Sequence, residues 1–124
     1  MKKIGLFFKK IKNLASLIIF SKKKFGNPEK KKVIMFDCDS PPQLEMILPK
    51  RETYVLSTRV NKINKIYLNY DLIKFMFFNF FRYSMRMNYL IRVIQQINPK
   101  VVITWIDNSE DFYIISKLLR NQIK

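Results

Sequence analysis

In a 124-residue chain without a single His, two clusters gather side chains able to do chemistry: Asp37-Cys38-Asp39-Ser40 and Asp107-Asn108-Ser109. Each follows an apolar, mostly β-branched or aromatic run, Val33-Ile34-Met35-Phe36 and Val101-Val102-Ile103-Thr104-Trp105-Ile106. Two carboxylates one residue apart can serve as nucleophile and general acid, or can hold Mg²⁺ or Mn²⁺ on a diphosphate. Asp37 and Asp39 in an extended strand would point to opposite faces, however, so the plainer reading is that they cap a turn or pair with Lys or Arg. Asp107 can act as a base toward a sugar or polyol hydroxyl, with Asn108 and Ser109 beside it. The plainer alternative there is a helix N-cap, followed by first-turn acids Glu110 and Asp111 that favour the positive end of the helix dipole. Arg59 ends a third β-rich stretch, Thr53 to Thr58, and can grip a phosphate or carboxylate through two parallel hydrogen bonds. Cys38 has no basic neighbour in sequence to activate it, and Trp105 lies within an apolar run, so both read as core.

Composition removes several mechanisms. Without His there is no Ser-His-Asp triad, no His-based zinc site and no imidazole base; acid–base work falls to carboxylates, Lys, Tyr or Cys38. Only Gly5 and Gly26 are present and neither follows a strand, which excludes a glycine-rich phosphate loop. The expectation is no bound metal and no cofactor. A lone Cys cannot form an internal disulfide, which fits a reducing compartment. An apolar fraction of 48%, with 15% aromatics, suffices for a real core.

The elements that must position these residues follow from pattern. Pro99 stops a helix, and Val101 to Ile106 then reads as a strand buried on both faces. Val33 to about Asp39 has the same form, and Tyr54-Val55-Leu56-Ser57 forms a short strand between them. Parallel strands near 33–38, 53–57 and 101–106 would deliver their polar ends to one edge, where open α/β sheets bind ligands. This predicts a small three-layer Rossmann-like α/β domain over 33–124. Ile63 to Leu68 reads as a further strand or a loop. Gln43 to Leu48 has room for a turn and a half of helix before Pro49. Tyr70 to Ile97 is long for one helix and is read as two, broken near Phe81 to Ser84, with Arg82, Arg86 and Arg92 outside the core. Apolar residues on nearly every side of Phe75 to Phe81 predict that Tyr70–Phe81 needs cover from a membrane or a second polypeptide. A final amphipathic helix carries Phe112, Ile115, Leu118, Leu119 and Ile123.

The net charge of +15 is uneven: residues 1 to 32 hold eleven Lys and one Glu, so ten of the fifteen excess charges fall in the first quarter. From Ile4 to Ile19 apolar residues recur at three- and four-residue spacing, with Lys2, Lys3, Lys9, Lys10 and Lys12 outside the stripe, which predicts a basic amphipathic helix. No apolar run approaches the roughly 20 residues that span a bilayer. Lys2, Lys3, Phe7, Phe8, Lys9, Lys10, Ile11 and Lys12 are therefore candidates for lying on an anionic membrane surface, at the cytoplasmic inner face of the cell membrane. The alternative is that the stripe packs on the domain. Ser21 to Lys32 reads as a solvated linker. Nucleic acid is the disfavoured partner, since no helix-turn-helix, zinc-finger or RNP signature accompanies the charge.

Two resemblances follow from these residues. Val33 to Asp39 is similar to the first motif of haloacid dehalogenase-like phosphatases, an apolar strand ending in Asp-x-Asp. Ser40-Pro41-Pro42 departs from the Gly-Thr that usually follows it. More of the chain, about 33–124, resembles the N-terminal part of bacterial surface carbohydrate biosynthesis proteins. The match runs through Lys32 to Ser40, Ile47-Leu48-Pro49, Tyr54-Val55-Leu56-Ser57-Thr58-Arg59 and Asn98-Pro99-Lys100 to Asn108, with the Ile-Asp-Asn strand end as its best marker. These are transferases of glycosyltransferase-B-like architecture, so the resemblance implies the acceptor-side half of a two-domain carbohydrate or polyol-phosphate transferase. Asp107, as catalytic group, and Asn108 would line a cleft; Asp37, Asp39, Ser40, Arg59 and Ser109 would meet substrate. A nucleotide-activated donor would bind only through a second domain outside these residues. The expectation is thus of a truncated product, inactive alone. The competing expectation is a non-catalytic peripheral membrane module.

Overall fold

The computed structural model describes residues 2–36, 46–56, 63, 65–104 and 110–123. The chain is a mixed α/β domain, with two short parallel sheets and four helices among the described residues. In chain order these are α1 (Lys2–Phe20), β1 (Lys22–Phe25), β2 (Val33–Phe36), β3 (Thr53–Leu56), β4 (Lys65–Leu68), α2 (Tyr70–Phe78), α3 (Met85–Ile97), β5 (Val101–Thr104) and α4 (Glu110–Leu118).

The larger sheet has the order β3-β2-β5, all parallel, with Phe36 level with both Leu56 and Thr104. Its centre is β2, where Ile34, Met35 and Phe36 are all buried. Ile34 and Phe36 face the core shared with the helices. Met35 must point the other way, and at 2% exposure that second face is covered too, as a three-layer arrangement requires. The sequence reading placed the doubly buried strand at Val101. Instead β5 is an edge strand, with Val101 38% exposed, because β2 rather than β5 has a neighbour on each side.

Residues read as linker contribute a strand: β1 pairs in parallel with β4, Lys22 opposite Lys65 and Phe25 opposite Leu68. Its side chains are all exposed, which is why pattern alone suggested a linker. Three lysines on an open edge also discourage a further strand from adding there. Gly26 then adopts φ +112, a conformation cheap only for glycine, and its amide bonds Leu68 O at 2.9 Å. The smaller sheet meets the larger through the Tyr54 and Tyr67 rings, 6.3 Å apart.

The organising element is α3, nine of whose residues are buried and which touches α1, α2 and α4. Ser84 caps it by accepting from the Met87 amide at 3.1 Å, and Asn98 closes it in the left-handed conformation, φ 53, just before Pro99. The break expected near Phe81–Ser84 spans 79–84. Asn69 caps α2 by accepting from the Leu72 amide at 2.9 Å, and its amide also pairs with Gln96 of α3. Arg92 of α3 grips Asp71 of α2 with two bonds, 2.8 and 2.7 Å. Those bonds, with one from Gln96, hold the Asp71 carboxyl below its ordinary pKa.

Candidate functional site

Two regions carry functional geometry: the carboxyl rim of the larger sheet and the outward face of α1 and α2.

The three parallel strands finish level with one another at Phe36, Leu56 and Thr104. The chain leaves β2 for β3 on one side and later returns as β5 on the other, the reversal at which open α/β sheets bind ligands. Every substrate-contacting residue expected from sequence lies just beyond these ends: Asp37, Asp39 and Ser40 after β2, Arg59 after β3, and Asp107, Asn108 and Ser109 after β5. All seven lie outside the described residues, as does Cys38.

What is described nearby is a cavity of about 360 Å³. Its polar lining is Asn13, Ser16 and Ser21 from α1 and its end, Ser84 and Arg86 at the start of α3, and Asp111 at the start of α4. Because α3 runs directly into the amino end of β5, and α4 starts shortly after the carboxyl end, both N-termini stand on the rim side. Arg86 pairs with Asp111 at 3.0 Å, both half-buried. Sequence reading had set Arg86 outside the core and Asp111 as a first-turn acid; the pairing of two residues 25 apart had no local signature. Among the described residues no group of three or more His, Cys, Asp or Glu is placed to hold a metal.

The second region begins with how α1 docks. Leu14, Leu17 and Ile18 pack on the core, and the Phe7 ring lies 5.6 Å from that of Phe80. Lys10, expected among the membrane-facing lysines, is only 7% exposed. Its ammonium donates to the Phe80 carbonyl and, at 2.9 Å, to that of Tyr83, and lies 5.5 and 5.7 Å from the Phe80 and Phe81 ring centres. A cation here also complements the negative end of α2. Burial pushes its pKa below the ordinary Lys value. A signal was present, since Phe7, Lys10, Leu14 and Leu17 share one helical face at three- and four-residue spacing.

The other expected membrane residues remain available. Lys2, Lys3, Lys9 and Lys12 are exposed, Phe8 is 65% exposed, and Phe7 and Ile11 are partly so. At about 100° per residue, Ile11, Ile4, Phe8 and Ile19 follow Ile18 around α1, forming an open apolar strip beside the packed one. Across from it α2 leaves Tyr70, Ile73, Phe77 and Phe78 exposed, Phe77 at 76%. The apolar excess of Tyr70–Phe81 is therefore only half absorbed: Leu72 and Met76 are buried, Phe75 and Phe80 pack partly buried against the core, and Tyr70, Ile73, Phe77, Phe78 and Phe81 face out. Among the described residues no helix is long and apolar enough to cross a membrane.

No family model, no curated protein and no solved structure matches the chain.

Proposed function

We propose that the chain is a peripheral membrane module that lies on an anionic bilayer surface, the inner face of the cell membrane, through α1 and α2. One observation carries this reading. After α1 has satisfied the core with Leu14, Leu17 and Ile18, a second apolar strip is left open beside the exposed aromatics of α2, amid exposed lysines. Exposed apolar patches of this kind rimmed by charge are the mark of association surfaces. Apolar side chains would enter the headgroup boundary while each nearby Lys contributes about 1 kcal/mol.

The test is co-sedimentation of the full chain with vesicles. Phosphatidylglycerol-rich vesicles should pellet it and pure phosphatidylcholine should not. Pelleting should weaken on going from 50 to 300 mM salt, and Phe8→Ser with Phe77→Ser should cut the affinity at least about tenfold, because two large side chains no longer enter the interface. Equal pelleting by the neutral vesicles, or none by either, would reject the reading.

A second reading is supported by the level rim of the three strands: the acceptor-side domain of a cell-surface carbohydrate or polyol-phosphate transferase, which works beside the membrane. Asp107 would be its base and Arg59 its phosphate grip, with the activated donor held by a further domain. Titration calorimetry with sn-glycerol 3-phosphate as acceptor mimic should give binding heat that Arg59→Ala weakens about tenfold and Asp107→Asn reduces. No heat from the unaltered chain would count against it.

A further inference from the structure

Between α1 and α2 runs a groove of about 410 Å³, in the range of small-molecule sites. Leu14 and Ile18 form one wall, Ile73, Met76 and Phe77 the other, and Tyr89 lies at its base with its hydroxyl already engaged by the Tyr67 amide at 3.0 Å. The groove offers a ligand no polar partner. It is open to the outside, since Ile73 and Phe77 are exposed, and it continues into the apolar strip of α1.

The surrounding charge is one-sided. Across α1, β1, β4 and α2 there are ten lysines and one carboxylate, Asp71, which Arg92 and Gln96 already hold. Lys74 follows the groove residue Ile73 in sequence, and Lys23, exposed on the neighbouring strand, is paired with Ile66 and shares its face of the small sheet; Lys22, Lys24 and Lys65 lie on the other face, Lys24 and Lys65 over the Tyr67 ring. A helical peptide, about 10–12 Å across, is too wide for this volume. An extended peptide would bury backbone amides against a lining that cannot bond them. A hydrocarbon chain carries neither cost, and an anionic headgroup meets the charge outside.

We propose that this groove takes one hydrocarbon chain of an anionic membrane phospholipid, whose phosphate stays beside Lys23 of β1 and Lys74 of α2. The proposal rests on the membrane-surface reading and deepens it: the module would draw a single lipid chain out of the bilayer rather than adhere only to headgroups.

The test uses the full chain and lysophosphatidic acids of increasing chain length, each below its aggregation concentration, followed by native mass spectrometry and titration calorimetry. One lipid should bind per chain. Affinity should rise about fourfold per added methylene until the groove is full and then level off. Ile73→Trp, at the mouth, and Met76→Trp, deeper in, should each weaken the longer lipids at least about tenfold. Far-ultraviolet circular dichroism identifies a variant that has not folded, and Ile73→Trp, at an exposed position, carries the test if Met76→Trp fails. Binding of sn-glycerol 3-phosphate as tight as that of the lipids, and unchanged in Arg59→Ala, would overturn the proposal. So would affinity indifferent to chain length or to a folded Ile73→Trp, or a lipid-free dimer that gives the groove to a second copy. Intact pelleting with phosphatidylglycerol vesicles alongside absent one-to-one lipid binding removes only the groove; loss of both removes the membrane-surface reading with it.

Discussion

Tyr89 shows how one side chain joins two parts of the core. Its hydroxyl accepts from the Tyr67 amide at 3.0 Å, while its ring is buried among groove and core residues. Burial, chiefly, pushes its pKa up from 10.0 to about 12; the Tyr67 amide bond opposes the shift and the Tyr67 phenol adds to it. Tyr54 moves in the same direction, again mainly through burial and then through Tyr67 and Tyr89. A raised folded-state value means that the folded protein resists losing these protons. The stabilisation is complete below pH 10 and is lost as pH rises to about 12. For Tyr89 alone that loss is about 2–3 kcal/mol. Urea denaturation from pH 8 to pH 12 should show this fall, and Tyr89→Phe should flatten it. At pH 7 the same substitution should cost about 1–3 kcal/mol, because the Tyr67 amide loses its partner.

At the scale of the element, α1 is held by one polar contact as much as by its apolar face. Lys10 reaches carbonyls of the turn after α2, so the helix read from sequence either as a membrane-surface helix or as packed on the domain is tied to the α2–α3 corner. Lys10→Met should lower stability by about 1.5–3 kcal/mol in urea denaturation. Hydrogen exchange should quicken in α1 and the 79–84 turn more than in β2. The helix itself was legible from its spacing, and so was the division of Tyr70–Ile97, since no packed domain of this size absorbs so broad an apolar segment as one helix. The inward face of α1 was legible only in part, in the shared side of Phe7, Lys10, Leu14 and Leu17. A lysine between Leu14 and Phe7 looks like a boundary of the apolar face until its ammonium is seen to meet two carbonyls.

Across the whole molecule, α1 and β1 belong to the domain rather than hang from it. Removing residues 1–25 should therefore do more than weaken membrane binding: it uncovers Met76, Met85 and Ile66 and leaves β4 without its strand partner. The shortened chain should lose its cooperative thermal transition by circular dichroism, whereas Phe8→Ser with Phe77→Ser, which alters only exposed side chains, should keep it. Retention of the transition in the shortened chain would show that α1 and β1 are accessory to the core.

From the sequence alone came the class of fold, the three parallel strands, the split of the long apolar segment, and the basic amphipathic character of the first twenty residues. These are periodicities and stop signals, which act over a few residues and can be counted along a chain. Tertiary structure decided which strand is central, that a run of lysines pairs as β1, that Lys10 turns inward, and that Arg86 meets Asp111. Each depends on partners 20 or more residues away, and residue spacing within one element carries no information about what will stand opposite it.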